Sequence, residues 1–164
     1  MLFHLLLGGN MGDRRAYLAA AIAAIEREVG AVVAASNLYE TEPWSVLSPQ
    51  QNYYNQAIAV ESELVPLIFL AKLMQIETAL GRVRSAEERN AARTIDIDIL
   101  LIETQIIDTA ALQAPHPRLH LRRFALLPLA DIAAEVIHPI LQKNICILLE
   151  ECADTGAVLR VEEK

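Results

Sequence analysis

Asp96 and Asp98 stand two positions apart in an otherwise apolar stretch of β-branched residues, 93–101. Side chains alternate across a β-strand, so both carboxylates point to one face, about 7 Å apart at the backbone, while the neighbouring isoleucines point into a core. Two carboxylates this close raise each other's pKa unless a cation neutralises them. Hard oxygen ligands suit Mg²⁺ held jointly with substrate phosphates. The spacing therefore predicts a site for a metal ion and a phosphate group.

A solvated pair on an exposed strand is the simpler explanation of these aspartates, but the charge distribution weighs against it. The chain has a formal net charge of −7, from 14 basic and 21 acidic residues. Seven of the basic residues but only six of the acidic ones fall between Arg82 and Arg123. Positive charge is therefore concentrated around the aspartates, whereas the rest of the chain is too acidic for nonspecific binding of nucleic acid or anionic membranes.

A flexible arginine-rich segment precedes the aspartates. Residues 81–93 have no hydrophobic period and contain four arginines, Arg82, Arg84, Arg89 and Arg93. Guanidinium groups bind phosphate oxygens in pairs and keep their charge, so this segment is predicted to close over a polyphosphate. A solvated loop, in which two glutamates offset the arginines, is the alternative.

Further candidates lie on both sides of this segment. His116 is held between two prolines and is followed by Arg118, Arg122 and Arg123, which favours donation to phosphate over a purely structural role. Glu77 borders the apolar stripe of a predicted helix and could either line the pocket or extend its carboxylate to water.

An aromatic and amide set could bind a planar heterocycle. Tyr53 and Asn55 share one face of a predicted strand, and Phe124 directly follows Arg122 and Arg123. An amide offers both donors and an acceptor to the edge of a ring, while aromatic rings stack on its faces. Core packing is the alternative for the aromatic residues.

The pattern of hydrophobic residues predicts an α+β fold. Helices are expected from Asp13 to Gly30 and from Pro66 to Gly81, between strands at 2–7, 31–41, 52–62 and 93–101. This order is that of a ferredoxin-like split β-α-β sandwich, an antiparallel sheet with helices packed on one face. Beyond Glu103 we expect a short strand, two short helices and an edge strand, at 105–107, 122–130, 144–153 and 158–161.

Size and composition favour one domain, 1–164, since 164 residues with 54% hydrophobic content can bury one core. Cys146 and Cys152 have neither disulfide nor metal-site spacing and are expected to be reduced thiols. The apolar N-terminal run is interrupted by Gly8 and Gly9 far below membrane-spanning length. We therefore expect a cytoplasmic monomer with no membrane or nucleic-acid partner.

Six motifs occur in order along the chain: LGGNMGDR at 7–14, SNLYETEP at 36–43, YYN at 53–55, GRVR at 81–84, RTIDIDILL at 93–101 and PHPR at 115–118. Together they resemble the 6-hydroxymethyl-7,8-dihydropterin pyrophosphokinase family, over residues 7 to about 132. The resemblance implies a ferredoxin-like fold and transfer of the terminal pyrophosphoryl group of ATP to the pterin hydroxymethyl group, with release of AMP in folate biosynthesis.

The resemblance also implies roles by position. Asp96 and Asp98 would bind two Mg²⁺ ions that bridge the ATP phosphates, and Arg82 and Arg93 would belong to the loop that closes over them. The implied ATP-binding residues are Glu77, Arg84, Arg93, Ile99, His116 and Arg122. The implied pterin-binding residues are Thr41, Pro43, Trp44, Tyr53, Asn55 and Phe124.

The chain departs from the family pattern near the two substrate loops. Asn90-Ala91-Ala92 stands where the family commonly has Trp-Gly-Pro, which removes an aromatic contact and a stiffening proline. Ser45 replaces a usual glycine.

Two alternative functions are compatible with the same residues. A Mg²⁺-dependent nucleotidyl transferase or phosphohydrolase would use the same aspartates, and a ligand sensor without chemistry would share the fold.

Overall fold

An antiparallel sheet organises the fold, which a computed structural model describes for residues 1–44, 49–84 and 91–162. Within these ranges the strands are β1 Leu2–Gly9, β2 Ala31–Ala35, β3 Tyr39–Thr41, β4 Tyr53–Glu61, β5 Asp96–Ile102, β6 Ile107–Asp108, β7 Gln113–Ala114 and β8 Val158–Arg160. The helices are α1 Arg14–Glu28, α2 Pro66–Ala79, α3 Arg123–Ala133 and α4 Ile145–Glu151, with a 3₁₀ turn at Leu119–Leu121.

The main sheet has the strand order β5-β1-β4-β3-β8, and β2 pairs with β4 beside β3. β1 lies inside the sheet between β5 and β4, and nearly every one of its residues is apolar and buried. Its register places Gly8 opposite Asn55 of β4 on one side and opposite Asp96 of β5 on the other. This register brings the amide and the first aspartate to the same end of the sheet.

The helices α1 and α2 form as their apolar stripes predict. Asp13 caps α1 by accepting a hydrogen bond from the Ala16 N–H at 3.0 Å. Pro66 occupies the first turn of α2, where its missing N–H costs nothing. Phe69 of α2 stacks on Phe3 of β1, with ring centroids 3.7 Å apart. The split β-α-β arrangement expected from the sequence is confirmed.

The helices of the split β-α-β unit, α1 and α2, pack on one face of the sheet as predicted, and the later helices cover the other face. One core contains α1, α2 and residues such as Leu5 and Leu7, whereas a second core packs α3 and α4 against the opposite face through Leu6 and Leu101. β1 has apolar side chains that point to both faces of the sheet, so both faces must be covered by other elements. The short C-terminal helices supply the second cover.

Several predicted boundaries differ from the structure. The strand expected at 31–41 is divided into β2 and β3, because Ser36 turns its side chain to accept the Ala57 N–H at 2.9 Å. The strand expected at 105–107 is displaced to β6, which pairs with β7 in a small separate sheet. The predicted edge strand is confirmed as β8, paired with β3.

Two sequence features fall partly outside the described residues. Of the arginine-rich segment 81–93, residues 85–90, including Arg89 and Asn90, lie outside them, as does Ser45. No helix in the described parts of the chain has the length and apolar character needed to cross a membrane.

Candidate active site

A pocket opens where β1 ends and where β4, β5 and α3 begin. Nine of the residues singled out from the sequence line it: Thr41, Trp44, Tyr53, Asn55, Arg93, Asp96, Asp98, Arg122 and Phe124. Leu6, Gly8 and Glu42 complete the lining. Residues far apart in the chain therefore meet in one recess, with acidic and basic groups beside aromatic rings.

The two aspartates share a face of β5, as their spacing predicts. Ile95, Ile97 and Ile99 are at most 5% exposed and belong to the core with α1 and α2. Asp96 and Asp98 project from the other face into the pocket. The strand thus buries its isoleucines and presents both carboxylates to the recess.

Arginines contact both carboxylates, but unequally. Asp96 accepts hydrogen bonds from Arg82 and from Arg93, the latter at 3.0 Å between Nη1 and Oδ2. Asp98 has Arg122 at 3.7 Å from Nη1 to Oδ2. Burial and the neighbouring Asp96 charge raise the pKa of Asp98 to about 7. Arg122 therefore does not fully offset the cost of charging Asp98.

Glu77 is a buried anchor of the arginine segment. Its carboxylate is 1% exposed and accepts the backbone N–H of Ile97 and the Arg82 guanidinium, each at 2.7 Å, while Arg84 contacts its second oxygen. Burial raises the pKa of Glu77, and Arg82 acts in the opposite direction. Glu77 thus fixes Arg82 against β5 without lining the pocket.

The aromatic side of the pocket joins rings to a buried amide. The Trp44 and Phe124 rings are tilted by 59°, with centroids 6.3 Å apart. The Arg122 guanidinium lies 4.9 Å from the Trp44 centroid. Asn55 donates to the Thr41 hydroxyl at 2.6 Å, which leaves its amide oxygen for another partner.

Six of the residues singled out from the sequence are not on the pocket wall. Ile99 is buried in the core on the opposite face of β5, so only its backbone can reach a ligand. Pro43 lines an adjacent cavity with Trp44 and Phe124. Arg82, Arg84 and Glu77 belong to the network around Asp96 described above. His116 is outside the lining but near enough to Arg122 for that charge to lower the His116 pKa.

His116 is held in its place by the backbone. Its N–H donates to the Leu100 carbonyl at 2.9 Å, and its Nδ1 accepts the Arg118 N–H at 3.1 Å. Burial, together with Arg122 and Arg118, lowers the pKa of His116 to about 4. The imidazole is therefore neutral at physiological pH.

The start of α3, which carries Arg122 and Phe124 to the pocket, has a partner that the sequence did not suggest. Asp154 accepts the backbone N–H of Arg123 at 3.0 Å and so caps the helix from a distant segment. Further along α3, Asp131 accepts the Tyr39 hydroxyl at 2.9 Å. Only the folded chain brings these residues together.

The described residues fit a metal ion that is shared with a phosphate. They contain no group of three or more His, Cys, Asp and Glu side chains that could enclose a metal. Two carboxylates on one face leave most positions around a hard cation to water and phosphate oxygens, which is how Mg²⁺ is commonly bound. The donor set therefore suits Mg²⁺ carried with a nucleotide.

Arg122, which lines the pocket, also has one donor group that is not used in the described parts of the chain. Its Nε is buried and has no hydrogen-bond acceptor among the described residues. A buried donor without a partner costs free energy that an incoming anion can recover.

Known proteins are similar over most of the chain. A family described as 7,8-dihydro-6-hydroxymethylpterin-pyrophosphokinase matches residues 4–134. A 2-amino-4-hydroxy-6-hydroxymethyldihydropteridine pyrophosphokinase of Bacillus subtilis is 40% identical over 134 residues, 81% of this chain and 78% of that protein. One of the same description from Methylorubrum extorquens is 41% identical over 135 residues, 82% of this chain and 84% of that protein.

Solved structures share the fold at low sequence identity. The wild-type HPPK-DHPS of Plasmodium falciparum with SDX-DHP superimposes with a TM-score of 0.73 at 17% identity, covering 92% of this chain. An HPPK-DHPS in complex with substrates gives a TM-score of 0.69 at 17% identity. This chain spans less than half of these longer proteins, 44% and 43% respectively.

Proposed function

Because the chain belongs to the 7,8-dihydro-6-hydroxymethylpterin-pyrophosphokinase family, and is a pyrophosphokinase of folate synthesis, we propose that this pocket is where it acts. The pyrophosphoryl group of ATP passes to the hydroxymethyl oxygen of 6-hydroxymethyl-7,8-dihydropterin. The bond between the β-phosphorus and the oxygen bridging it to the α-phosphorus breaks as the new oxygen–phosphorus bond forms. The bonding electron pair leaves with AMP, and the proton of the hydroxymethyl group is released to solvent. The products are the pterin diphosphate and AMP. The convergence of two carboxylates, two arginines and an aromatic–amide recess in one pocket carries this assignment.

The pterin binds on the aromatic side. Tyr53, Trp44 and Phe124 offer ring faces to the flat heterocycle, and Asn55 and Thr41 offer hydrogen bonds to its edge. Pro43 holds the chain next to Trp44. The supporting observation is that Asn55 and Thr41 are buried polar groups at the base of an otherwise aromatic recess.

The ATP phosphates bind on the arginine side. Arg93 and Arg122 flank the aspartates within the pocket, and Arg82 reaches Asp96 from the network around Glu77. Arg84 and His116 extend the site toward the nucleotide, where the neutral imidazole can donate a hydrogen bond without a second positive charge. Ile99 contacts the base through its backbone, since its side chain is buried in the core.

Asp96 and Asp98 would hold Mg²⁺, and we propose that two ions are bound there with ATP. Bound Mg²⁺ would supply positive charge to the phosphate oxygens during transfer. Binding must displace Arg82 and Arg93 from Asp96 or share its oxygens with them, since both arginines contact it. The arginines are then available to the phosphates.

The protein's own contribution to catalysis is positioning and charge complementarity. Phosphoryl-type transfer needs little covalent help, and rigid alignment of two substrates can remove much of the barrier. β5 and the start of α3 fix the charged groups, and β4 fixes the aromatic face. Excluding water from this recess directs transfer to the pterin oxygen instead of to hydrolysis.

The assay incubates the chain with ATP, Mg²⁺ and 6-hydroxymethyl-7,8-dihydropterin and measures AMP. We expect Asp96→Asn and Asp98→Asn each to lower turnover by on the order of 100-fold or more, because each removes a charged oxygen ligand. Asp108→Asn is the matched control, since Asp108 is exposed on β6 and bonds only Gln113 among the described residues. Removing Mg²⁺ with EDTA should abolish turnover, and adding Mg²⁺ back should restore it.

Other products would identify the alternatives. Free pyrophosphate in place of AMP would indicate a nucleotidyl transferase, and ADP or free phosphate would indicate a phosphohydrolase. Tight pterin binding without turnover would indicate a sensor. Near-normal AMP formation by both aspartate variants would contradict the proposed site.

We also propose that the chain acts as one domain, as a monomer in the cytoplasm. Light scattering of the purified protein tests whether it is a monomer.

A further inference from the structure

Asn10 connects the two sides of the pocket through four hydrogen bonds. It directly follows β1 and is 2% exposed. Its Oδ1 accepts the Arg93 N–H at 2.9 Å, and its own N–H donates to the Arg93 carbonyl at 3.0 Å. Its Nδ2 donates to the Gln51 carbonyl at 3.0 Å and to the Gln50 Oε1 at 3.2 Å. One buried amide thus fixes two segments that are about forty residues apart in sequence.

The two segments lead to different substrates of the proposed reaction. Arg93 carries a guanidinium to Asp96 and leads into β5, so it belongs to the phosphate side. Gln51 lies just before β4, which begins at Tyr53 and presents Asn55 to the pterin side. A shift of either segment must therefore change the geometry at Asn10.

The surroundings leave Asn10 little room to adjust. A Cβ on the preceding Gly9 would lie 2.3 Å from the Thr94 carbonyl oxygen, and one on Gly8 would lie 2.4 Å from the Asn55 Oδ1. The end of β1 is therefore held closely between β5 and β4. In such packing a displacement is passed on to the neighbouring segment and is not absorbed locally.

The amide is also chemically specific. Its oxygen accepts from one segment while its nitrogen donates to the other. An aspartate at this position would still accept the Arg93 N–H, but its second oxygen would face the Gln51 carbonyl and the Gln50 Oε1, which are themselves acceptors. An alanine would leave several buried groups without partners. No other small side chain provides both functions at this spacing.

We propose that Asn10 is a positioning residue that couples pterin binding to nucleotide binding, so that occupation of one side favours occupation of the other. This inference rests on the proposed function, because it assigns the two sides to those two substrates. Asn10 touches neither substrate and acts through Arg93 and through the segment at Gln50 and Gln51.

The test measures coupling between the two ligands. Calorimetry gives the Kd of a nonhydrolysable ATP analogue with Mg²⁺, with and without saturating 6-hydroxymethylpterin. In the unmodified chain we expect the pterin to tighten nucleotide binding by about fivefold or more. In Asn10→Asp and Asn10→Ala this factor should fall to about twofold or less, while the Kd for the pterin alone changes less than the factor does.

The matched control is Asn37→Ala. Asn37 also joins two segments, by donating to Asp131 of α3 from its backbone and its amide, but it is not among the residues that line the pocket. We expect this variant to lose stability and to retain the coupling. Equal coupling in the Asn10 variants and the unmodified chain would overturn the inference, as would a coupling factor of one in the unmodified chain.

A measurement on the unmodified chain covers the case in which Asn10 variants fail to fold. Pterin alone should slow hydrogen exchange of the Arg93 amide, which bonds Asn10, although that residue is assigned to the phosphate side. Unchanged exchange at Arg93 would contradict the inference. Failure of the proposed function is recognised separately, as absence of AMP formation by the unmodified chain.

Discussion

At the residue scale, burial moves one group in the pocket and one group near it towards their neutral forms. Asp98 has a pKa raised to about 7 by burial and by Asp96, and His116 has a pKa lowered to about 4 by burial and by Arg122 and Arg118. The arginines keep their charge throughout. The ligand-free pocket therefore carries less negative charge than its sequence indicates, which favours the approach of a polyphosphate.

The neutral state of His116 makes stability depend on pH. Above pH 6.5 the imidazole is neutral in both the folded and the unfolded chain, so it has no effect. As the pH falls from 6.5 to about 4, the unfolded chain binds the proton first and unfolding becomes more favourable. We expect the ligand-free chain to lose roughly 2 kcal/mol relative to His116→Asn between pH 7 and 4.5.

The measurement is urea unfolding of both proteins at each pH. Asn is the chosen substitution because its Oδ1 can still accept the Arg118 N–H. Comparing the two proteins removes the effect of Asp98, which has the opposite sign because its pKa is raised. Parallel stability curves for the two proteins would show that His116 does not carry this pH dependence.

At the scale of elements, the close approach of β1 to its neighbours sets the geometry of the pocket. Gly9 lies at the pocket end, where an added Cβ would be 2.3 Å from the Thr94 carbonyl oxygen. Gly30 lies at the opposite end of the sheet, where an added Cβ would be 2.2 Å from the Glu61 carbonyl oxygen. The two glycines provide the same steric problem at different distances from the proposed site.

We expect Gly9→Ala and Gly30→Ala each to lower the unfolding free energy by about 1–3 kcal/mol, because a backbone must move to admit the methyl group. Only Gly9→Ala should also lower kcat/KM, by roughly tenfold or more, since it displaces the segment before Asp96. Activity is measured under conditions where both variants are folded. A similar loss of kcat/KM in Gly30→Ala would indicate that general destabilisation is responsible.

At the scale of the whole molecule, two cores share one sheet. Leu73 of α2 belongs to the core on one face, and Leu126 of α3 belongs to the core on the other, and both are fully buried. β1 contributes side chains to both cores. Loss of packing on either face therefore weakens the strand on which the other face depends.

We expect Leu73→Ala and Leu126→Ala each to lower the unfolding free energy by about 2–5 kcal/mol. Because the sheet is shared, each variant should still unfold in a single transition that is seen equally by circular dichroism and by Trp44 fluorescence. Thermal and urea unfolding provide the measurement. Two separate transitions in either variant would contradict the proposal of a single domain.

Much of the fold followed from local patterns. The stripes of Leu18 and Ile25 in α1 and of Phe69 and Leu73 in α2 gave both helices, since a helical period is a property of neighbouring residues. The patterns did not reveal that Ser36 divides a strand or that α3 and α4 cover the second face. Those features depend on contacts with β4 and β1, which are distant in sequence.

What the sequence by itself determined is the common orientation of Asp96 and Asp98, because alternation along a strand is local geometry. It also determined the types of group available for phosphate and pterin. Only the tertiary structure decided that Gly8 faces Asn55 and Asp96 together and that Asn10 joins both sides of the pocket. Strand register and packing between distant segments decide these relations, and no local pattern of residues encodes them.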